Sequence, residues 1–87
     1  MEFLQFPFQA ADGDLVRVEV NRQANVRLMD SSNFNAFRRG AAYRAYGGRA
    51  VRSPCVLPIP HGGSWVVVVD LGGQRGSIRA AVNVVRS

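Results

Sequence analysis

Residues 64–71 read Ser-Trp-Val-Val-Val-Val-Asp-Leu and are bracketed by Gly62-Gly63 and Gly72-Gly73. A strand points successive side chains to opposite faces of its sheet, so this run is apolar on both faces. Such a strand belongs in the middle of a sheet.

Most of the remaining chain alternates with a period of two. Residues 2–8 set Leu4, Phe6 and Phe8 on one side and Phe3, Gln5 and Pro7 on the other. Pro7 cannot donate to a ladder, which assigns this strand to a sheet edge. Asp12-Gly13 is a tight-turn signal, because both residues tolerate positive φ. Residues 15–20 turn Val16, Val18 and Val20 inward and Arg17 and Glu19 to water. Residues 24–30 do the same with Val26 and Leu28 inward and Arg27 outward. These three strands are expected to pair as an antiparallel meander.

At Asp30 the period changes. Ser31 or Ser32 can cap a helix, Phe34 and Phe37 share one helical face, and Gly40 can end it. The spacing predicts one short helix near residues 32–39, of about two turns. Its phenylalanines are expected to plug one end of the domain, with Arg38 and Arg39 in the dipole-favoured last turn. Residues 41–46 suit a strand or an extended loop, which Gly47-Gly48 breaks. Residues 49–59 suit one extended strand interrupted by Pro54 and Pro58. His61-Gly62-Gly63 is a turn, Gly72 to Gly76 a hairpin loop, and residues 77–85 a closing strand with Ile78, Ala80, Val82 and Val84 inward. The expected fold is mainly β: a small antiparallel, jelly-roll-like β-sandwich of six to seven strands forming a single domain over residues 1–87.

Charge narrows the function. The net charge is +5, carried by eleven arginines and no lysine. Arginine suits bidentate recognition of anions, while a chain without lysine also fits the codon usage of a GC-rich genome. Residues 31–69 hold five arginines and no acid, whereas the remaining six arginines are balanced by six acids. The same stretch carries Phe34, Phe37, Tyr43 and Tyr46. No apolar run is long enough to span a membrane, and the first residues lack a basic, signal-like start. A cytoplasmic protein with no membrane partner is expected. The one cysteine, Cys55, excludes an internal disulfide and a cysteine-rich zinc site.

Several segments together resemble a known family. They are Asn-Val-Arg-Leu-Met-Asp-Ser-Ser-Asn-Phe (25–34), Arg-Arg-Gly (38–40), Tyr-Gly-Gly (46–48), Arg-Ser-Pro (52–54), Pro-His-Gly (60–62) and Trp-Val-Val-Val-Val-Asp-Leu-Gly-Gly (65–73). The chain is similar over essentially its whole length to a family of small bacterial proteins catalogued as a domain of unknown function, family 1883. The resemblance implies a β-rich single domain, in some chains beside a Toll/interleukin-receptor-type domain. It implies no catalytic residue or cofactor, and a stand-alone module of the sensing or binding kind.

The residues offer little for catalysis. Cys55, His61 and Asp70 could form a nucleophile, base and orienter, but Cys55 falls on the apolar side of its strand, where free cysteine is a small core residue. His61-Gly62-Gly63-Ser64 and Gly72-Gly73-Gln74-Arg75-Gly76 read as turns, because the scaffolds that give such motifs their chemistry are missing. No metal site and no cofactor are expected, since the chain has one Cys, one His and scattered acids. The expected function is a non-enzymatic binding or sensing module. Its surface would be residues 32–52, with Arg38, Arg39, Tyr43, Arg44, Tyr46, Arg49 and Arg52 recognising a protein or a small anionic ligand. Nucleic-acid binding is the alternative, followed by a structural or homodimerising role through edge strands near Phe3 and Pro7.

Overall fold

A computed structural model describes residues 3–86. Seven strands and one helix follow in the order β1 (Leu4–Ala10), β2 (Leu15–Val20), β3 (Ala24–Asp30), α1 (Ser31–Arg39), β4 (Tyr46–Ala50), β5 (Cys55–Pro58), β6 (Gly63–Asp70) and β7 (Ala80–Val85). The strands form two antiparallel sheets, β1-β6-β3-β4 and β5-β2-β7. The mainly β sandwich expected from the alternation is therefore present, with one short helix.

The valine run is the axis of the molecule. β6 lies between β1 and β3, with Val69 opposite Leu4 on one side and Val26 on the other. Trp65, Val67 and Val69 face the second sheet and join Val16, Val18, Val26 and Leu28 in the main core. Val66 and Val68 face the other way, into a smaller core with Met29 and Phe34 that Phe3 and Phe37 flank. Burying the four valines contributes roughly 6–12 kcal/mol before ordering entropy is counted. That is comparable with the whole net stability of a small domain.

Helix α1 supplies the second cover. Asp30, not Ser31 or Ser32, is its N-cap, and its carboxylate accepts from the Asn33 backbone N–H at 2.8 Å. Asp at this position follows the same rule that favoured serine; the helix simply starts one residue earlier. At the other end Gly40 takes φ 75°, and Ala41 N–H reaches the Ala36 carbonyl at 2.9 Å, the left-handed stop expected of glycine. Phe3 meets Phe34 and Phe37 edge-on at 6.2 and 5.2 Å. The helix thus lies over the outer face of the first sheet instead of plugging an end of the sandwich. The outward valines of β6 demand that cover.

The strand pairing departs from the expected meander. β1, β2 and β3 do not pair with one another, because β2 belongs to the second sheet and β6 inserts between β1 and β3. Short turns look alike whether they join neighbours or cross between sheets, so alternation alone did not reveal the crossing. For the same reason Gly72 to Gly76 is not a hairpin loop: it carries the chain from β6 in one sheet to β7 in the other. Residues 49–59 are not one strand either. β4 ends at Ala50, a turn follows, and β5 starts at Cys55 in the opposite sheet. Gly47 and Gly48 lie inside β4 and do not break it. β4 and β1 form the edges of the first sheet, and exposed Pro7 sits on β1 as its missing donor requires.

Candidate functional site

The crossings gather charge at one end of the sandwich. Three connections meet there: residues 21–23 between β2 and β3, residues 51–54 between β4 and β5, and residues 71–79 between β6 and β7. Hydrogen bonds join them. Val20 N–H donates to Ser53 Oγ at 3.0 Å. Asn21 N–H donates to the Arg79 carbonyl at 3.2 Å, and Arg79 N–H returns a bond to Asn21 Oδ1 at 2.9 Å. Arg49 Nη2 donates to Gln23 Oε1 at 2.8 Å. The Arg22 guanidinium lies against Gly76, where a β-carbon would strike it. Arg22, Arg49, Arg52, Arg75 and Arg79 are all exposed at this end.

Among the described residues one acid lies with them, and it is occupied. Asp70 is 2% exposed. It forms an ion pair with Arg27 and accepts from Asn25 Nδ2 at 3.0 Å and from Gly72 N–H at 2.8 Å. Arg27, expected to face water, instead lies half-buried on the outer face of the sheet to reach it. A buried carboxylate keeps its charge only with such partners. It therefore presents no free negative charge to a ligand. Beside it a groove of about 920 Å³ opens between Phe3 and the 71–79 loop.

The seven residues singled out from sequence do not form one surface. Arg38 and Arg39 sit in the last turn of α1, and the Arg38 guanidinium stands 5.7 Å over the Phe34 ring. Tyr43 packs edge-on against Phe37 at 5.1 Å. Arg44 is fixed by its backbone N–H, which donates to Asn33 Oδ1 at 2.8 Å. Tyr46, at the far end of β4, packs on Trp65 at 6.2 Å. Only Arg49 and Arg52 belong to the arginine end. Arg22, Arg75 and Arg79 are its other members, and the sequence reading set them aside because charges outside residues 31–69 cancel in number. They do not cancel in space. No local signal marks them; the shared feature is that each lies in or beside a turn that the topology brings to the same end.

Cys55, His61 and Asp70 do not converge. Cys55 packs toward the main core from the second sheet, and burial pushes its thiol pKa up. Asp70 faces the opposite side of the first sheet, with Arg27 and Asn25. His61 stacks tilted on Trp65 at 4.9 Å, at the other end of β6. Among the described residues no three His, Cys, Asp or Glu side chains gather as a metal site requires, and no helix is long and apolar enough to cross a membrane.

A family model described as Domain of unknown function (DUF1883) matches residues 2–87. No curated protein and no solved structure matches the chain.

Proposed function

The chain belongs to the Domain of unknown function (DUF1883) family, and we propose that it is a non-enzymatic binding module that recognises an anionic ligand or partner through its arginine end. The carrying observation is an imbalance of pairing. Three arginines, Arg17, Arg27 and Arg86, form ion pairs with Glu19, Asp70 and Asp14, and the other eight of the eleven meet no acid among the described residues. Asp30 is taken by the helix cap. Among the described residues Asp12 alone is an acid without such a role.

Of the eight, Arg38 and Arg39 complement the helix dipole, and Arg38 also stacks on Phe34, which gives them structural work. Arg22, Arg49, Arg52, Arg75 and Arg79 have no comparable duty apart from the Arg49 bond to Gln23. Guanidinium groups clustered at one end of the sandwich favour small, multiply charged or planar anions. Base stacking is disfavoured there, because Tyr43 and Tyr46 lie elsewhere and Phe3 is committed to Phe34 and Phe37.

The test is calorimetric titration with inorganic tripolyphosphate. Arg22, Arg75 and Arg79 changed together to Ala should weaken binding at least tenfold, while Arg38, Arg39 and Arg44 changed together should weaken it far less. Equal losses in the two variants, or no binding by the wild type at low salt, would refute the reading. Tight binding of a labelled single-stranded oligonucleotide with a steep salt dependence would transfer it to nucleic acid.

A further inference from the structure

The groove beside the arginines has a composition of its own. Its interior is apolar, built from Phe3, Leu4, Val69, Leu71 and Ile78. These side chains are flanking members of the two cores and not surplus surface: Leu4, Leu71 and Ile78 pack on the main core and Phe3 on the smaller one. The groove runs along the seam where both cores reach the surface. Its volume of about 920 Å³ falls in the range of small-molecule sites.

The rim is different. It is the glycine-rich run from Gly72 to Ser77, whose residues are exposed. Gly72 N–H is used by Asp70 and Gln74 N–H by the Leu71 carbonyl at 3.2 Å. Among the described residues the backbone N–H groups of Gly73, Arg75, Gly76 and Ser77 find no protein acceptor. Beside them stand the Arg22 guanidinium, held against Gly76, and the exposed side chain of Arg75. Among the described residues the only carboxylate lining the groove is Asp70, which is paired with Arg27. An apolar trough under a rim of exposed N–H groups, with Arg22 beside Gly76 and Arg75 next in the chain but both outside the lining itself, is complementary to one class of molecule.

Resting on the anion-binding reading above, we infer that this groove takes a single-chain anionic amphiphile: a hydrocarbon chain against Phe3, Leu71 and Ile78, with a phosphate or carboxylate head held by Arg22, Arg75 and the loop amides. The chain removes apolar surface from water. The head forms charge-assisted hydrogen bonds with groups that otherwise face solvent. Gly76 fits this role. Its φ of 121° disfavours any side chain there, which keeps the rim bare beside Arg22.

Octyl phosphate, kept below its micelle concentration, is the probe, compared by calorimetry with inorganic phosphate and with octanol. Octyl phosphate should bind at least tenfold more tightly than either. Arg22→Ala with Arg75→Ala should abolish that advantage over octanol, and Ser77→Trp, crowding the groove from its exposed rim, should reduce the advantage over inorganic phosphate. All three positions are exposed, so the variants keep their fold, which their unfolding midpoints verify. If inorganic phosphate binds as well as octyl phosphate, the hydrocarbon site is overturned while anion binding stands. If octanol binds as well, the head site is overturned. Binding only above the micelle concentration, or unaffected by Ser77→Trp, also overturns the proposal. If no phosphate compound binds at all, both readings fall together.

Discussion

The two ends of the sandwich are made alike and used differently. At one end the 11–14 turn carries Asp12 and Asp14, and His61 lies nearby on Trp65. Asp14 is buried, accepts from Ala11 N–H at 2.9 Å and pairs with Arg86 at 3.1 Å; the Trp65 indole donates to the His61 carbonyl at 2.9 Å. Polar groups there close turns. At the other end Asp70 does the equivalent structural work for the 71–79 loop, and Arg27 satisfies it. Five further arginines then stand exposed with no acid among the described residues to meet. The difference separates charge the fold consumes from charge it leaves available.

The largest effect should come from removing the acid that both ends possess in buried form. Asp70→Ala leaves Asn25, Gly72 N–H and Arg27 without their acceptor, and should cost about 2–4 kcal/mol in urea unfolding. The cost stays below that of breaking a fully buried pair, because Arg27 is about a quarter exposed and regains water. Asp14→Ala should cost less, about 1–2 kcal/mol, through the Ala11 bond. Arg86→Ala should change stability by no more than about 0.5 kcal/mol, since its side chain is largely exposed. A larger loss for Arg86→Ala would mean that the acidic end relies on its ion pair and not on its turn. The arginine end should respond little for three changes made at once: Arg22, Arg75 and Arg79 changed together to Ala should stay within about 0.5–1 kcal/mol of wild type while losing anion affinity. A strong destabilisation would make those arginines structural and dissolve the contrast.

How much of this could be read in advance varies by element. The valine run announced a central strand because its pattern had no polar face to give to water, and β6 is that strand. Pro7 announced an edge for the same kind of local reason. Gly40 and the pair Phe34 and Phe37 marked the helix. The pairing was not legible, because a two-residue turn such as Asp12-Gly13 carries no mark of whether the next strand pairs beside it or crosses to the other sheet. The site followed the pairing. Arg49 and Arg52 were found, because they lie in the basic stretch. Arg22, Arg75 and Arg79 were not, because their nearness exists only once β2, β6 and β7 have taken their places. Tyr43 and Tyr46 stood out as exposed aromatics by type, yet each packs against another ring.

A smaller effect concerns Cys55. Burial raises its thiol pKa, so alkylation at pH 8 should be slower in the folded chain than in urea. The linkage has a definite sign. The folded pKa lies above the unfolded one, so stability is unaffected below the unfolded thiol pKa and falls as pH rises through it toward the folded value. Cys55→Ala should remove that part of the alkaline slope. An alkylation rate equal to that of the unfolded chain would place the thiol outside the core.

The contrast between the ends is tested most directly by amide chemical-shift mapping during titration with tripolyphosphate. The expected result is a saturable shift confined to Arg22, Gly73, Arg75, Gly76, Ser77 and Arg79, with the 11–14 turn and the last turn of α1 unmoved. Shifts centred on Arg38, Arg39 and Arg44, or no saturable shift at low salt, would contradict it.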